Sequence, residues 1–309
     1  MSNNIAFVFP GQGSQYVEMG KDFYDNYEVA RKYFDKANEI LDIDLKKLCF
    51  EGPEDELTET QNTQPAIFTV SMIAYEILKA EGIEPKMVAG HSLGEYAALC
   101  SAGVFDFETG LKLVRKRGEL MASAVSEGSK GTMAAIIALK RDKIEEICSE
   151  VEGVCELANI NSPIQIVISG EEKAVHSAME KAEEAGAKKI VELNVSSAFH
   201  SQLMEPAKNK LEEYINTIEF NDPEVPVIAN STADFVENRE EIVAALKEQL
   251  TNPVRWVESM ELMGENDIEL ALEVGPGRVL KSLMRRIDRS IKTYNVQDQA
   301  SLEKAMKKI

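Results

Sequence analysis

Histidine is scarce in this chain: 3 occur among 309 residues, alongside a single Trp and an aromatic share of 6%. Scattered imidazoles and the lack of an HExxH run provide no metal-ligand set, so neither a metal nor another cofactor is expected. The four cysteines, Cys49, Cys100, Cys148 and Cys155, form no CxxC. They read as reduced thiols rather than a disulfide framework. No stretch approaches the roughly 20 apolar residues that a membrane helix needs, and the N-terminus lacks the basic start and apolar core of a signal peptide. Bases are also in deficit, with 34 Lys+Arg against 53 Asp+Glu and a formal charge of −19. Such a field repels polyanions, which argues against non-specific binding to nucleic acid or an anionic membrane. A soluble, cytoplasmic protein is expected, and its composition of 44% hydrophobic and 28% charged residues is ordinary for a globular chain.

What is present alternates between strand and helix. Ile5 to Phe9 is a short apolar run closed by Pro10-Gly11, as a strand buried on both faces would be. Helix-like sequence follows from Lys21 to Leu41. Glu51 to Glu59 reads as an acidic, solvated loop. From Pro65 to Lys79 the residues Ile67, Val70, Ile73, Ala74, Ile77 and Leu78 share one helical face. Met87 to Gly90 is a second buried strand, Glu95 to Leu99 has helix propensity, and Glu269 to Val274 resumes the strand pattern late in the chain. This alternation predicts an α/β fold with a mostly parallel sheet. Between these parts, strands at 132–139, 155–160, 164–169 and 188–193 and helices at 141–151 and 171–185 follow the order β-α-β-β-α-β. That is the ferredoxin-like pattern. The expected organisation is a large domain of residues 1–127 and 198–309 with a small α+β domain, 128–197, inserted in it.

The sharpest local signal is Gly90-His91-Ser92-Leu93-Gly94, a GxSxG between an apolar strand and a helix. A tight turn there lifts the Ser92 hydroxyl clear of the sheet, and the helix N-terminus faces a developing oxyanion. A serine nucleophile needs a base. His91 adjoins Ser92, where neighbouring side chains diverge, and His176 lies in a polar helix that suits solvent. His200 falls where the chain re-enters the large domain, at a cleft of the kind active sites favour. It is the candidate base. No acid can be singled out to orient it, and a backbone carbonyl could do so instead, since only Nδ1–H must be held.

Taken together, several motifs in order from about Phe7 to Val296 resemble the malonyl-CoA:acyl-carrier-protein transacylases of fatty acid synthesis and the acyltransferase domains of polyketide synthases. They are Phe9-Pro-Gly-Gln-Gly-Ser-Gln15, Gly90-His-Ser-Leu-Gly-Glu-Tyr96, Arg117-Gly-Glu-Leu-Met121, Asn161-Ser-Pro163, Ala198-Phe-His-Ser201, Asn252-Pro-Val-Arg-Trp256 and Glu273-Val-Gly-Pro-Gly-Arg278. The resemblance implies a hydrolase-like α/β domain carrying an inserted ferredoxin-like domain. It implies ping-pong transfer of a malonyl group, with malonyl-CoA and acyl carrier protein as partners, and a monomer is expected. By the same resemblance Ser92 is the acylated nucleophile, His200 its base, and the main-chain carbonyl of Gln249 the group that orients the ring. The amides of Gln12 and Leu93 form the oxyanion hole, Arg117 binds the malonyl carboxylate, and Asn161 is a candidate substrate contact. Ala198-Phe-His-Ser201 resembles the malonyl-using rather than the methylmalonyl-using members. Ile164 and Gln202 depart from the family pattern, standing where Gly and Pro are frequent, and Ile164 could narrow a loop near the thioester.

Plainer readings stand beside these. Gly11-Gln-Gly13 could be only a turn, Arg117 one cation of the surface cluster Arg115-Lys116-Arg117, and Gln249 an exposed helix residue. A serine esterase or thioesterase would share the first half-reaction. A nucleotide-binding module is a weaker rival, because Gly11-Gln-Gly13 and Gly275-Pro-Gly277 lack the third glycine of GxGxxG. An acidic carrier protein would need a basic face on this acidic chain. Arg278, Lys281, Arg285, Arg286, Arg289 and Lys292, opposed by Asp288 alone, are the candidate.

Overall fold

The computed structural model describes residues 4–124, 131–195 and 197–309. The residue 127/128 boundary expected for the small domain lies outside the described residues.

The first sheet is built from β1 (Ile5–Phe9), β2 (Met87–Gly90), β7 (Val227–Ile228), β8 (Phe235–Val236), β9 (Leu270–Val274) and β10 (Lys292–Val296), in the order β10-β9-β1-β2-β7-β8. Every pairing in it is parallel except β7 with β8. The continuous apolar run of β1 is explained by its two faces: Ile5, Phe7 and Phe9 enter one apolar cluster, and Ala6 and Val8 the other. Register sets Phe9 beside Gly90. The C-terminal ends of β1 and β2 therefore open side by side, and the chain leaves β1 toward β2 on one flank and has β9 on the other. That is the position where open α/β sheets place their ligands.

The second sheet is antiparallel, formed by β3 (Gly131–Ile137), β4 (Cys155–Ser162), β5 (Gln165–Glu171) and β6 (Lys189–Glu192) in the order β4-β5-β3-β6. The two-residue period of β3 divides its side chains between faces. Ala134 and Ile136 pack on the helices Arg141–Glu150 and Glu172–Glu184, while Met133 and Ala135 join the main cluster of the first sheet. The sheets are also stitched through the backbone, since Ile160 N–H donates to the Val254 carbonyl at 2.9 Å and Val254 N–H to that of Ala158 at 2.8 Å.

Several helical expectations need correction. The stretch from Lys21 to Leu41 is two helices, Lys21–Asn26 and Glu28–Leu41, parted by an extended Tyr27. Arg31 Nη1 fixes the break by donating to the Tyr24 and Asp25 carbonyls at 2.7 and 3.3 Å. The acidic loop contains a short helix, Glu54–Thr58, with Glu54, Asp55 and Glu56 in its first turn, where acids suit the helix dipole. The helix expected from Pro65 begins earlier, at Thr60, and runs to Ala80. Pro65 has no N–H to offer the Gln61 carbonyl one turn back; Arg115 Nη1 donates to that carbonyl instead, at 2.9 Å. A 17-residue helix, Phe107–Ser123, carries both Arg115 and Arg117. Among the described residues no helix is long and apolar enough to cross a membrane.

Candidate active site

The turn after β2 is dictated by crowding. A Cβ on Gly90 would collide with the Gly94 carbonyl, and one on Gly94 with the Phe9 carbonyl, so no larger residue fits either position. Between them Ser92 takes the left-handed region, φ 50°, at a cost of about 1–2 kcal/mol for a residue with a side chain. Hydrogen bonds hold it there. Ser92 N–H donates to Asn230 Oδ1 at 2.6 Å, Asn230 Nδ2 donates to the Gly90 carbonyl at 2.6 Å, and Glu95 N–H returns to the Ser92 carbonyl at 3.1 Å.

His200 meets this elbow from 108 residues away: its Nε2 stands 2.8 Å from Ser92 Oγ. Its Nδ1 lies 2.9 Å from the Gln249 carbonyl and 3.1 Å from that of Asn252. Carbonyls only accept, so Nδ1 keeps the proton and Nε2 presents its lone pair to the serine hydroxyl. Burial, reinforced by the nearby Arg117 cation, pushes the imidazole pKa down to about 3. The ring is therefore a neutral acceptor across the physiological range.

Arg117 lies under the site, 1% exposed. Its Nη2 donates to Ser92 Oγ and to Gln249 Oε1, both at 3.0 Å, and its Nη1 to Gln64 Oε1 at 3.0 Å. Among the described residues its Nε–H has no hydrogen-bond partner. The Tyr96 ring is stacked below, 5.3 Å from the guanidinium carbon. Arg117 is thus no member of a surface cluster, and Gln249, 1% exposed, is no surface residue. Burial lowers the guanidinium pKa from its ordinary value, and Tyr96 and Glu95 oppose the shift.

Ser92, His200 and Arg117 face a cavity of about 110 Å³ whose apolar wall comes from the helix Phe107–Ser123 (Met121), from β3 (Met133) and from the chain after β6 (Leu193, Val195 and Phe199). Gln12 lines it too, from the loop after β1. Among the described residues the backbone N–H groups of Gln12 and Leu93 donate to no protein acceptor, whereas that of Ser92 is taken by Asn230. One uncommitted amide thus follows the nucleophile in the chain and the other belongs to a residue that lines the same cavity.

Asn161 is placed differently from the expectation. Its Oδ1 is bound to His91 Nε2 at 2.7 Å, and Asn159, two residues earlier, lines the cavity in its stead. His91 in turn leans on Trp256, with ring centroids 5.4 Å apart. His176 is exposed on its helix, 3.0 Å from Glu192. Ile164 sits 46% exposed between β4 and β5 and does not line the cavity. Gln202 uses what a proline would lack, since its N–H donates to Glu156 Oε2 at 2.8 Å.

Asn230, Gln64, Glu95 and the Asn252 carbonyl join the site without having been expected from the sequence. Only Glu95 left a trace, as an acid in the first turn of the otherwise apolar helix Gly94–Ser101.

Comparison with known proteins places this geometry in a family. Residues 6–306 match the acyl transferase domain model. The chain is 44% identical over 307 residues to the malonyl CoA-acyl carrier protein transacylase of Bacillus subtilis (strain 168), covering 98% of this chain and 96% of that one. Its fold superposes with a TM-score of 0.95 on an acyl carrier protein S-malonyltransferase from Vibrio cholerae, at 41% identity and with 98% and 99% of the two chains covered. It also superposes with a TM-score of 0.96 on a malonyl-transacylase in complex with its type II PKS acyl-carrier protein, again at 41% identity, covering 99% of this chain and 100% of that one. The chain, with its serine elbow and buried arginine, belongs to the acyl transferase family.

Proposed function

We propose that this protein transfers a malonyl group from malonyl-CoA to the phosphopantetheine thiol of an acyl carrier protein, through a malonyl ester on Ser92, supplying extender units for fatty acid synthesis. The observation that carries this reading is the convergence of Ser92, His200 and Arg117 within hydrogen-bond distance at one small cavity. Ser92 Oγ attacks the thioester carbon as His200 Nε2 takes its proton. The amides of Gln12 and Leu93 receive the oxyanion, each such donor contributing about 10²–10³ in rate. CoA leaves with the proton, the carrier thiol enters, and His200 serves again as base. In a malonyl ester the free carboxylate is two carbons from the ester carbonyl, within reach of the guanidinium that already touches Oγ. Esterases share the serine and the base; the fixed cation is what selects a diacid half-ester.

The finer architecture and the partner surface belong to the same proposal. Residues 128–197 form a ferredoxin-like unit inserted into a hydrolase-like domain of residues 1–127 and 198–309. The β-α-β-β-α-β succession and the separate apolar cluster under its helices support this. The protein works as a cytoplasmic monomer, and its carrier docks on the helix Val279–Ile287. That helix buries Leu280, Leu283 and Met284 and exposes Arg285 and Arg286. Its first turn is pinned by Glu273, whose carboxylate accepts the N–H groups of Leu280 and Lys281 at 2.9 Å each. The preceding Gly277 lies against Ser14 in the loop that carries Gln12. The basic helix thus starts beside the loop that borders the cavity. A type II polyketide carrier would be loaded by the same chemistry.

Intact mass after mixing with malonyl-CoA tests the central claim. One malonyl adduct is expected, absent in Ser92→Ala; rapid malonate release without an acceptor thiol would identify a hydrolase instead.

A further inference from the structure

Glu95 is 2% exposed, beneath the nucleophile, and the transfer steps above do not use it. Its Oε2 accepts from Gln249 Nε2 at 2.8 Å and from Asn230 N–H at 3.2 Å. The Gln249 amide stands between this carboxylate and Arg117, because its Oε1 accepts from Arg117 Nη2. A guanidinium only donates and a carboxylate only accepts, so the amide between them has one orientation. Its Nε2 then also reaches the Ser92 carbonyl, at 3.0 Å.

We propose that Glu95 is the buried counter-charge of Arg117 and takes up a proton from solvent when a malonyl carboxylate pairs with that guanidinium. This deepens the proposed function and rests on Arg117 as the carboxylate partner. In the free protein above neutral pH one buried cation faces one buried anion. Malonyl loading brings in a second anion, and two carboxylates cannot both stay charged cheaply around one desolvated guanidinium. The malonyl group touches the cation directly and keeps its charge; Glu95, one amide away, is the group that yields.

The surroundings leave Glu95 as the acceptor of that proton. Burial raises its pKa to about 7, so it is ionised above neutral pH and a further anion shifts its titration upward from there. Arg117, on the helix Phe107–Ser123, is the cation that bears on it. Tyr96, on its own helix, is pushed up to about 12 and stays protonated. His200 is pushed down to about 3, and burial likewise lowers His91, so both rings are neutral. Gln64, Asn230 and Gln249, from the other segments around the pair, do not titrate.

Loading itself is proton-neutral below the CoA thiol pKa: the Oγ–C bond forms, the C–S bond breaks, and the serine proton ends on sulfur. Net uptake in a weakly buffered solution with a pH indicator therefore reports the protein. The full-length protein is mixed with malonyl-CoA, and acylation is counted by intact mass. Uptake should approach about one proton per acylated Ser92 slightly above neutral pH, and kcat/KM for malonyl-CoA should fall by up to about tenfold per pH unit there. Glu95→Gln should lose both effects, as should acetyl loading of Arg117→Ala. Infrared difference spectra of the wild-type protein supply a second reading that needs no Glu95 variant, a protonated-carboxyl band appearing on malonyl loading. Full malonylation with no uptake and no such band, while Arg117→Ala still loses its preference for malonyl, overturns the role of Glu95 alone. An Arg117→Ala protein that keeps its malonyl preference overturns the reading of Arg117, and this proposal with it.

Discussion

Arg117 Nη2 lies 3.0 Å from Ser92 Oγ, so the cation that would select the substrate touches the atom that attacks it. The guanidinium donates to the hydroxyl while His200 accepts from it, so the nucleophile is held between its base and the cation that meets the malonyl carboxylate. Arg117→Ala should weaken malonyl transfer by about two to four orders of magnitude, in line with about 3–5 kcal/mol for breaking a desolvated ion pair. Acetyl transfer should survive or improve. Steady-state rates with both thioesters decide it, and an equal loss for both acyl groups would refute the clamp. Arg117→Lys should not restore the wild-type preference, since an ammonium cannot reproduce the fork that meets Ser92, Gln249 and Gln64 together.

The acid limb of the pH profile should sit unusually low. A base must be unprotonated to act, and burial has pushed the His200 pKa to about 3, well below the ordinary 6.5. The kcat/KM for malonyl-CoA should show no downward inflection between about pH 5 and 6.5. The same shift bears on stability with a definite sign. Between 6.5 and about 3 the unfolded chain binds a proton that the folded chain refuses, so this group's contribution is lost as the pH falls through that window. An activity inflection at the ordinary histidine value would show that the ring is solvated in the working enzyme.

Asn230 should matter although it touches no substrate. Its side chain satisfies both the Ser92 N–H and the Gly90 carbonyl, which together hold the left-handed serine. Asn230→Ala leaves two buried backbone groups unpaired at about 1–3 kcal/mol each. We expect kcat/KM to fall by about 10- to 100-fold and the melting temperature to drop by several degrees. A variant with wild-type kinetics would mean that the glycines alone fix the elbow.

Charge reversal of Arg285 and Arg286 to Glu should raise KM for the carrier protein several-fold, more at low salt, and leave malonyl-CoA kinetics unchanged. Both side chains are exposed on a helix whose apolar face is buried, so folding should be spared. Carrier kinetics that ignore the reversal would move the docking face elsewhere.

The elbow was legible in the sequence because its requirements are contiguous: two glycines that admit no Cβ, a serine between them, an apolar strand before and a helix after. His200 emerged from the shortage of histidines. Neither signal extends to groups that act through the main chain or through neutral amides. The carbonyls of Gln249 and Asn252 have no side-chain signature, and Asn230 and Gln64 lie 138 and 53 residues from the partners they satisfy. The β-α-β-β-α-β succession could be read because each of its elements carries a clear period. The split at Tyr27 could not, because it depends on Arg31 reaching back to two carbonyls.

The acceptors that hold His200 are peptide carbonyls, and every amino acid carries one. Asn252 can be exchanged for any other residue without deleting its acceptor, whereas a triad that relies on a carboxylate is broken by one codon change. The proton on the ring is placed by the path of the chain over residues 249–252, so mutation can disturb it only by displacing that path. Insertions, deletions or prolines in this short segment are a greater hazard to catalysis than any side-chain exchange at Asn252.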